Sequence, residues 1–160
     1  MTVDTILVPT DFSATSDAAL HYATKMALTL GARLYLVHVP GKTGEHFEAS
    51  FPVGRFEIAV SERLLSFLTK DELERLRPEY VLRVGTPAEE VVRYADVCDA
   101  DLIIMGTHGR SGIAHVLLGS VAEQVVRVAP CPVLLVRAPK RAAVSQGAGV
   151  KVPPVKRVLE

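Results

Sequence analysis

Five short runs of β-branched and aliphatic residues recur along this chain, separated by longer stretches with helical spacing. That alternation restricts the fold more than any other feature. The runs are Thr5-Ile6-Leu7-Val8, Arg33 to Val39, Tyr80 to Val84, Leu102 to Met105 and Val133 to Val136. So few polar residues interrupt them that they fit strands covered on both faces, as in a parallel sheet. The order β-α-β-α-β-α-β-α-β predicts an α/β fold with one doubly wound parallel sheet.

The intervening helices carry their own punctuation. Ser13 to Leu30 places Ala18, Ala19, Tyr22, Ala23, Met26 and Leu30 at helical spacing, and Gly31 follows as a C-terminal cap. Thr86-Pro87-Ala88-Glu89 combines a capping residue, a proline at the first helical position and a reciprocal capping-box acid, opening a helix to about Cys98. Ser120-Val121-Ala122-Glu123 repeats the box and opens a helix to about Val128. Arg55 to Arg77 is helical in pattern, and Thr69-Lys70-Asp71-Glu72 leaves open whether it is one helix or two. Pro40 to Gly54 reads as a long loop.

A length of 160 residues, 49% of them hydrophobic, suits one domain able to bury a core without staples. The 18 basic and 18 acidic residues cancel, which excludes the basic excess of a general nucleic-acid binder. The cancellation is uneven: residues 138–160 hold 5 basic and 1 acidic residue, so they carry +4 and the rest carries −4. Cys98 and Cys131 lack metal-ligand spacing and read as small buried hydrophobes. Met1-Thr2-Val3-Asp4 lacks the basic and apolar regions of a leader, and no uncharged run is long enough to span a bilayer. The expectation is a soluble cytoplasmic protein with no membrane and no nucleic-acid partner.

In open α/β sheets, ligands sit beyond the carboxyl ends of the strands where the strand order reverses. The loops to inspect are therefore Pro9-Thr10-Asp11-Phe12-Ser13 after the first strand and Gly106-Thr107-His108-Gly109-Arg110-Ser111-Gly112 after the fourth, with Gly119-Ser120 opening the last helix. Glycines let a ligand approach bare backbone. A helix start offers N–H groups and a positive dipole end to a phosphate, and Arg110 can add a charge-assisted contact. Neither the Walker pattern nor G-x-G-x-x-G after the first strand is present. Taken alone, these glycines fit either a phosphate cradle or turns that merely need glycine.

The spacing Gly106-x2-Gly109-x9-Gly119-Ser120 resembles the nucleotide-binding signature of the universal stress protein family, G-x2-G-x9-G-[ST]. Leu117 to Glu123, Pro130 to Val136 and the opening Ile6 to Ser13 are similar to the same family, so the resemblance covers about residues 1–138. It implies a Rossmann-like sheet of the adenine nucleotide alpha hydrolase kind, with five strands in order 3-2-1-4-5. It implies an ATP ligand, accompanied by magnesium or manganese. Pro9, Thr10 and Asp11 would line the adenosine, and Val39 would touch the adenine. Met105 and Gly106 would close the other side. His108, Gly109, Arg110, Gly119, Ser120 and Val121 would complete the site around ribose and phosphates. The resemblance further implies a stress-response or signalling module that pairs as a homodimer through the fifth strand, Val133, Leu134, Leu135 and Val136. An apolar edge strand also invites such pairing on physical grounds. Residues 139–160 extend past the family domain as a basic C-terminal segment, and the loop Pro40 to Gly54 has no counterpart in it.

Blander readings stand beside these. Asp11 can act as a helix N-terminal acid, Ser120 as an N-cap, Arg110 and His108 as solvated loop residues, and His38 as a satisfied core or interface histidine. Two alternative functions remain: a slow ATPase or phosphotransferase using Asp11 and His108 to position metal or water, and a dimeric scaffold of the same family without nucleotide.

Overall fold

A strand buried on both faces needs apolar side chains at consecutive positions, and the apolar runs deliver them to alternate sides. In the computed structural model, which describes residues 2–40, 53–108 and 118–137 and the side chains of all of these but 53–57, the strands are β1 (Thr5–Pro9), β2 (Arg33–His38), β3 (Glu79–Leu82), β4 (Leu102–Gly106) and β5 (Val133–Val136). They form one parallel sheet in the order β3-β2-β1-β4-β5. The register pairs Leu7 with Tyr35 and with Ile103, and Ile103 with Val133. The helices are α1 (Ala14–Leu30), α2 (Val53–Leu65), α3 (Lys70–Leu76), α4 (Pro87–Val97) and α5 (Ser120–Val128).

Two cores follow from the alternation. Ile6, Val8, Leu34, Leu36 and Ile104 project to one face, where α1 (Ala19, Leu20, Ala23, Ala27), α2 (Val60, Leu64) and α3 (Leu73, Leu76) cover them. Leu7, Tyr35, Val37, Ile103 and Met105 project to the other, under α4 (Val91, Tyr94, Ala95) and α5 (Ala122, Val125). The change of covering face falls between β1 and β4, which is where strand order reverses and a ligand site is expected. No helix among the described residues is long and apolar enough to cross a membrane.

Most expected boundaries hold, with instructive shifts. β3 begins one residue early and stops at Leu82, because the chain turns away at exposed Val84 and at Gly85, whose φ is +155°. The helical stretch of residues 55–77 is two helices, and its first extends back to Val53, inside the region read as loop. Thr69 divides it: the residue is extended (φ −72°, ψ 162°), accepts the Glu72 N–H at 3.2 Å, and receives the Glu72 carboxylate on its own N–H at 2.8 Å. The capping boxes expected at Thr86 and Ser120 do not form. Thr86 is the N-cap of α4 but makes no side-chain cap bond. At α5 the N-cap is Gly119 instead, since its N–H is drawn to the Thr107 carbonyl at 2.7 Å and its own carbonyl accepts from Glu123 at 2.9 Å. A tertiary bond thus sets the helix start one residue earlier than the local pattern.

The Thr69 box yields a pH prediction. The Thr69 backbone amide first, and the Lys25 ammonium second, hold the Glu72 carboxyl down at about 2 from its ordinary 4.5. A depressed acid contributes stability that is complete above its unfolded pKa and is lost as pH falls through its folded pKa. The melting-temperature gap between the parent and Glu72→Gln should be full above pH 4.5 and close as pH falls toward 2. Thermal melts across that window check it, and a gap that stays constant would contradict the assignment.

Candidate functional site

The carboxyl ends of β1, β2 and β4 and the start of α5 are joined by hydrogen bonds that leave little slack. Thr10 N–H donates to the Val37 carbonyl at 2.9 Å, and Thr107 N–H donates to the Val136 carbonyl at 3.0 Å. The Gly119 N–H to Thr107 carbonyl bond fastens α5 to the loop after β4. The Thr15 hydroxyl, in the first turn of α1, donates to the His108 carbonyl and ties α1 to the same loop. Among the described residues no side chain caps the first-turn amides of α5, whose N-cap is a glycine, so the helix presents the donor set and dipole end that suit an anion.

Asp11 follows β1 and caps what comes next. Its Oδ1 accepts the Ser13 N–H at 3.0 Å and the Ser13 hydroxyl at 2.6 Å, an Asx turn leading into α1. Ser13 is the N-cap of α1, its hydroxyl oxygen accepting the Ser16 N–H. The blander reading of Asp11 as an acid at a helix start is therefore realised, in the place the ligand reading requires. The buried Thr10 side chain is committed locally: its Oγ1 lies 3.3 Å from Ser16 Oγ and accepts the Phe12 N–H at 3.2 Å. Between Asp11 and Ser13 the chain passes through Phe12 at φ +64°, a left-handed conformation costing a non-glycine residue about 1–2 kcal/mol.

Gly106 has a packing reason to be glycine. An added Cβ would stand 2.8 Å from the Thr15 carbonyl carbon and 2.9 Å from its Cβ and its oxygen. The absent side chain therefore admits the first turn of α1 against the end of β4. Pro9 pairs with Val37 in the sheet. Met105 is buried in the second core, with Val39 and Val121 packed at its margin. His108 is half-buried, its Nδ1 3.0 Å from Thr107 Oγ1. Gly119 is half-buried and Ser120 exposed. Gly109 and Arg110 lie outside the described residues, as does the segment 139–160.

Some participants were not legible in sequence. His38, expected from its apolar strand to be a satisfied core or interface residue, is buried with its Nδ1 2.7 Å from the Thr10 carbonyl. Its place against the loop after β1 is new. Thr15, Arg63 and the Arg83–Glu90 pair carry no motif that marks them. Glu90, almost wholly buried, bonds Arg83 at 3.1 Å and Arg93 at 2.6 Å. Burial pushes the Cys98 thiol up to about 11 and raises that of Cys131, so neither is poised as a nucleophile. Among the described residues no group of three or more His, Cys, Asp or Glu side chains converges to hold a metal.

Comparison with known proteins agrees with this fold. A model described as the universal stress protein family matches residues 2–137. Universal stress protein MJ0531 of Methanocaldococcus jannaschii is 34% identical over 149 residues, covering 85% of this chain and 83% of that one. The solved structure of protein MJ0577 aligns with a TM-score of 0.68 at 32% identity, over 88% of this chain and 100% of that one. A universal stress protein solved in complex with cAMP aligns with a TM-score of 0.62 at 28% identity, over 87% of this chain and 100% of the other.

Proposed function

The chain belongs to the universal stress protein family, and on that premise we propose that it is an adenine-nucleotide-binding module whose ligand is ATP. The observation that carries the reading is the start of α5. Its first-turn amides have no side-chain cap among the described residues, and Gly119 is fastened to the loop after β4 at the switch point beside β1. That arrangement suits phosphate, and the relative solved with cAMP binds an adenine nucleotide. In this reading Asp11, with Pro9 and Thr10, lines the adenosine and Val39 touches the base. Met105 and Gly106 close the slot. His108, Gly109, Arg110, Gly119, Ser120 and Val121 surround ribose and phosphates. A magnesium or manganese ion would enter with the nucleotide and take most of its ligands from phosphate oxygens and water.

The proposal includes pairing of two copies through β5. The strand lies at the sheet edge, and Val133, Leu134, Leu135 and Val136 are all half-buried in one chain. A second strand would cover that edge and its free ladder. A dimer of nucleotide-binding domains fits a stress-response or signalling module that reports nucleotide occupancy.

Calorimetric titration with ATP tests the site. The parent is expected to bind at micromolar concentration or tighter. Gly119→Val is the informative variant. The Gly119 backbone is extended, at φ −70° and ψ 151°, which a β-branched residue adopts without strain. The fold should survive while the added side chain obstructs the phosphates, with affinity falling at least about tenfold. Absence of binding by the parent, or equal affinity in the folded variant, would overturn the reading.

A further inference from the structure

The loop between β1 and α1 bends through a conformation its sequence does not favour, and residues from two other elements stand against the bend. Phe12 at φ +64° occupies the region that glycine enters readily and a bulky side chain rarely does. Its ring meets the His38 imidazole with centroids 4.9 Å apart and planes at 55°. The Arg63 guanidinium lies 4.7 Å from the centroid of the same ring, a cation–π distance. Arg63 is itself oriented: its Nε donates to Asp17 Oδ1 at 2.9 Å and its Nη1 to the Ala59 carbonyl at 3.2 Å. On the other flank of Asp11, His38 Nδ1 is 2.7 Å from the Thr10 carbonyl. A carbonyl only accepts, so the proton of that bond belongs to Nδ1. His38 ends β2 and is 7% exposed, so it cannot follow the loop if the loop moves.

We propose that His38 and Arg63 are positioning residues for the nucleotide site, acting through Thr10 and Phe12 without touching the ligand. The inference rests on the nucleotide reading above. Asp11 sits between two clamped neighbours, one held by its carbonyl and the other by its ring. A strained backbone persists only where its surroundings over-determine it. Without the clamp, Phe12 relaxes to negative φ, the peptide between Asp11 and Phe12 turns, and the Asp11 carboxylate leaves the orientation the site needs. The two residues come from β2 and α2, so the orientation of Asp11 reports how both pack against the first loop.

Three variants of the full chain separate this role from bulk stability. His38→Leu removes the donor. His38→Asn places an amide N–H near the position of Nδ1. Arg63→Met, at a side chain that is 32% exposed, removes the cation with little loss of core. ATP affinity is measured by calorimetry. The Phe12 backbone conformation is read in ligand-free protein from NMR chemical shifts and couplings. His38→Leu is expected to weaken ATP at least about tenfold and to abolish the left-handed signature of Phe12. His38→Asn should recover most of the affinity, and Arg63→Met should weaken it several-fold. Unchanged affinity in His38→Leu and Arg63→Met, no recovery in His38→Asn, or a left-handed Phe12 retained in His38→Leu would each overturn the proposal. A parent that binds no ATP defeats the nucleotide reading itself, and the ligand-free Phe12 signature then still decides whether the clamp exists.

Discussion

Gly106→Val is expected to melt roughly 10 °C below the parent, without any ligand present. The added side chain meets helix backbone, not a flexible tip: its Cβ alone would lie 2.8 Å from the Thr15 carbonyl carbon. Relief requires moving either the end of β4 or the first turn of α1. Overpacking of this kind costs about 1–3 kcal/mol, and valine, with two further carbons, belongs at the upper end. In a domain of this size each kcal/mol lowers the melting temperature by about 3 °C. Gly106→Ala should fall between the two proteins. Scanning calorimetry of all three checks the order, and an alanine variant as stable as the parent would mean that the close approach is easily relieved. The consequence reaches the site, because the Thr15 hydroxyl holds the His108 carbonyl. Both variants should therefore also bind ATP less well. The glycine thus serves α1 packing, whatever it also offers the proposed ligand.

The second large effect is expected at Arg83. Glu90, with 7% of its side chain exposed, is held by Arg83, at 22%, and by the largely exposed Arg93, at 62%. Arg83→Leu leaves a buried carboxylate with only its exposed partner. Breaking a buried pair by removing one member costs about 3–5 kcal/mol; with Arg93 remaining, roughly 3 kcal/mol and a fall in melting temperature of about 9 °C are expected. Adding Glu90→Leu should restore most of the loss, since an apolar replacement of a buried pair is often neutral. Arg93 by then is solvated and loses little. A double variant as unstable as Arg83→Leu alone would show that the guanidinium's place over the Tyr94 ring, and not its pairing with Glu90, accounts for the effect. Because Arg83 N–H also donates to the His38 carbonyl at 3.0 Å, this pair lies one hydrogen bond from the loop clamp.

Much of the candidate site was legible in sequence because its place follows from topology. Once five apolar runs alternate with helices, the loops after the first and fourth strands must meet where the sheet reverses. Of the spaced glycines, Gly106 and Gly119 stand there, with the Gly119 N–H on the Thr107 carbonyl, and Gly109 lies outside the described residues. Capping was legible less evenly. Thr69-x-x-Glu72 and Thr86-x-x-Glu89 have the same pattern, yet only the first forms a box. Ser120 carries the pattern too, and loses the N-cap position to Gly119 because Thr107 captures the glycine N–H.

The sequence by itself determined the architecture: which runs become strands, which face each residue takes, and in which order the strands and helices alternate. Those properties depend on periodicity, which neighbouring residues define among themselves. Only the tertiary structure decided which partner each polar group takes. Thr15 reaches His108, 93 residues away, and His38 reaches Thr10, 28 residues away. No local pattern encodes such pairs, because burial leaves each polar group to bond whatever the packed elements bring within reach. The same packing decided that Gly106 admits a helix, that Phe12 stays bent, and that Glu90 is enclosed by arginines.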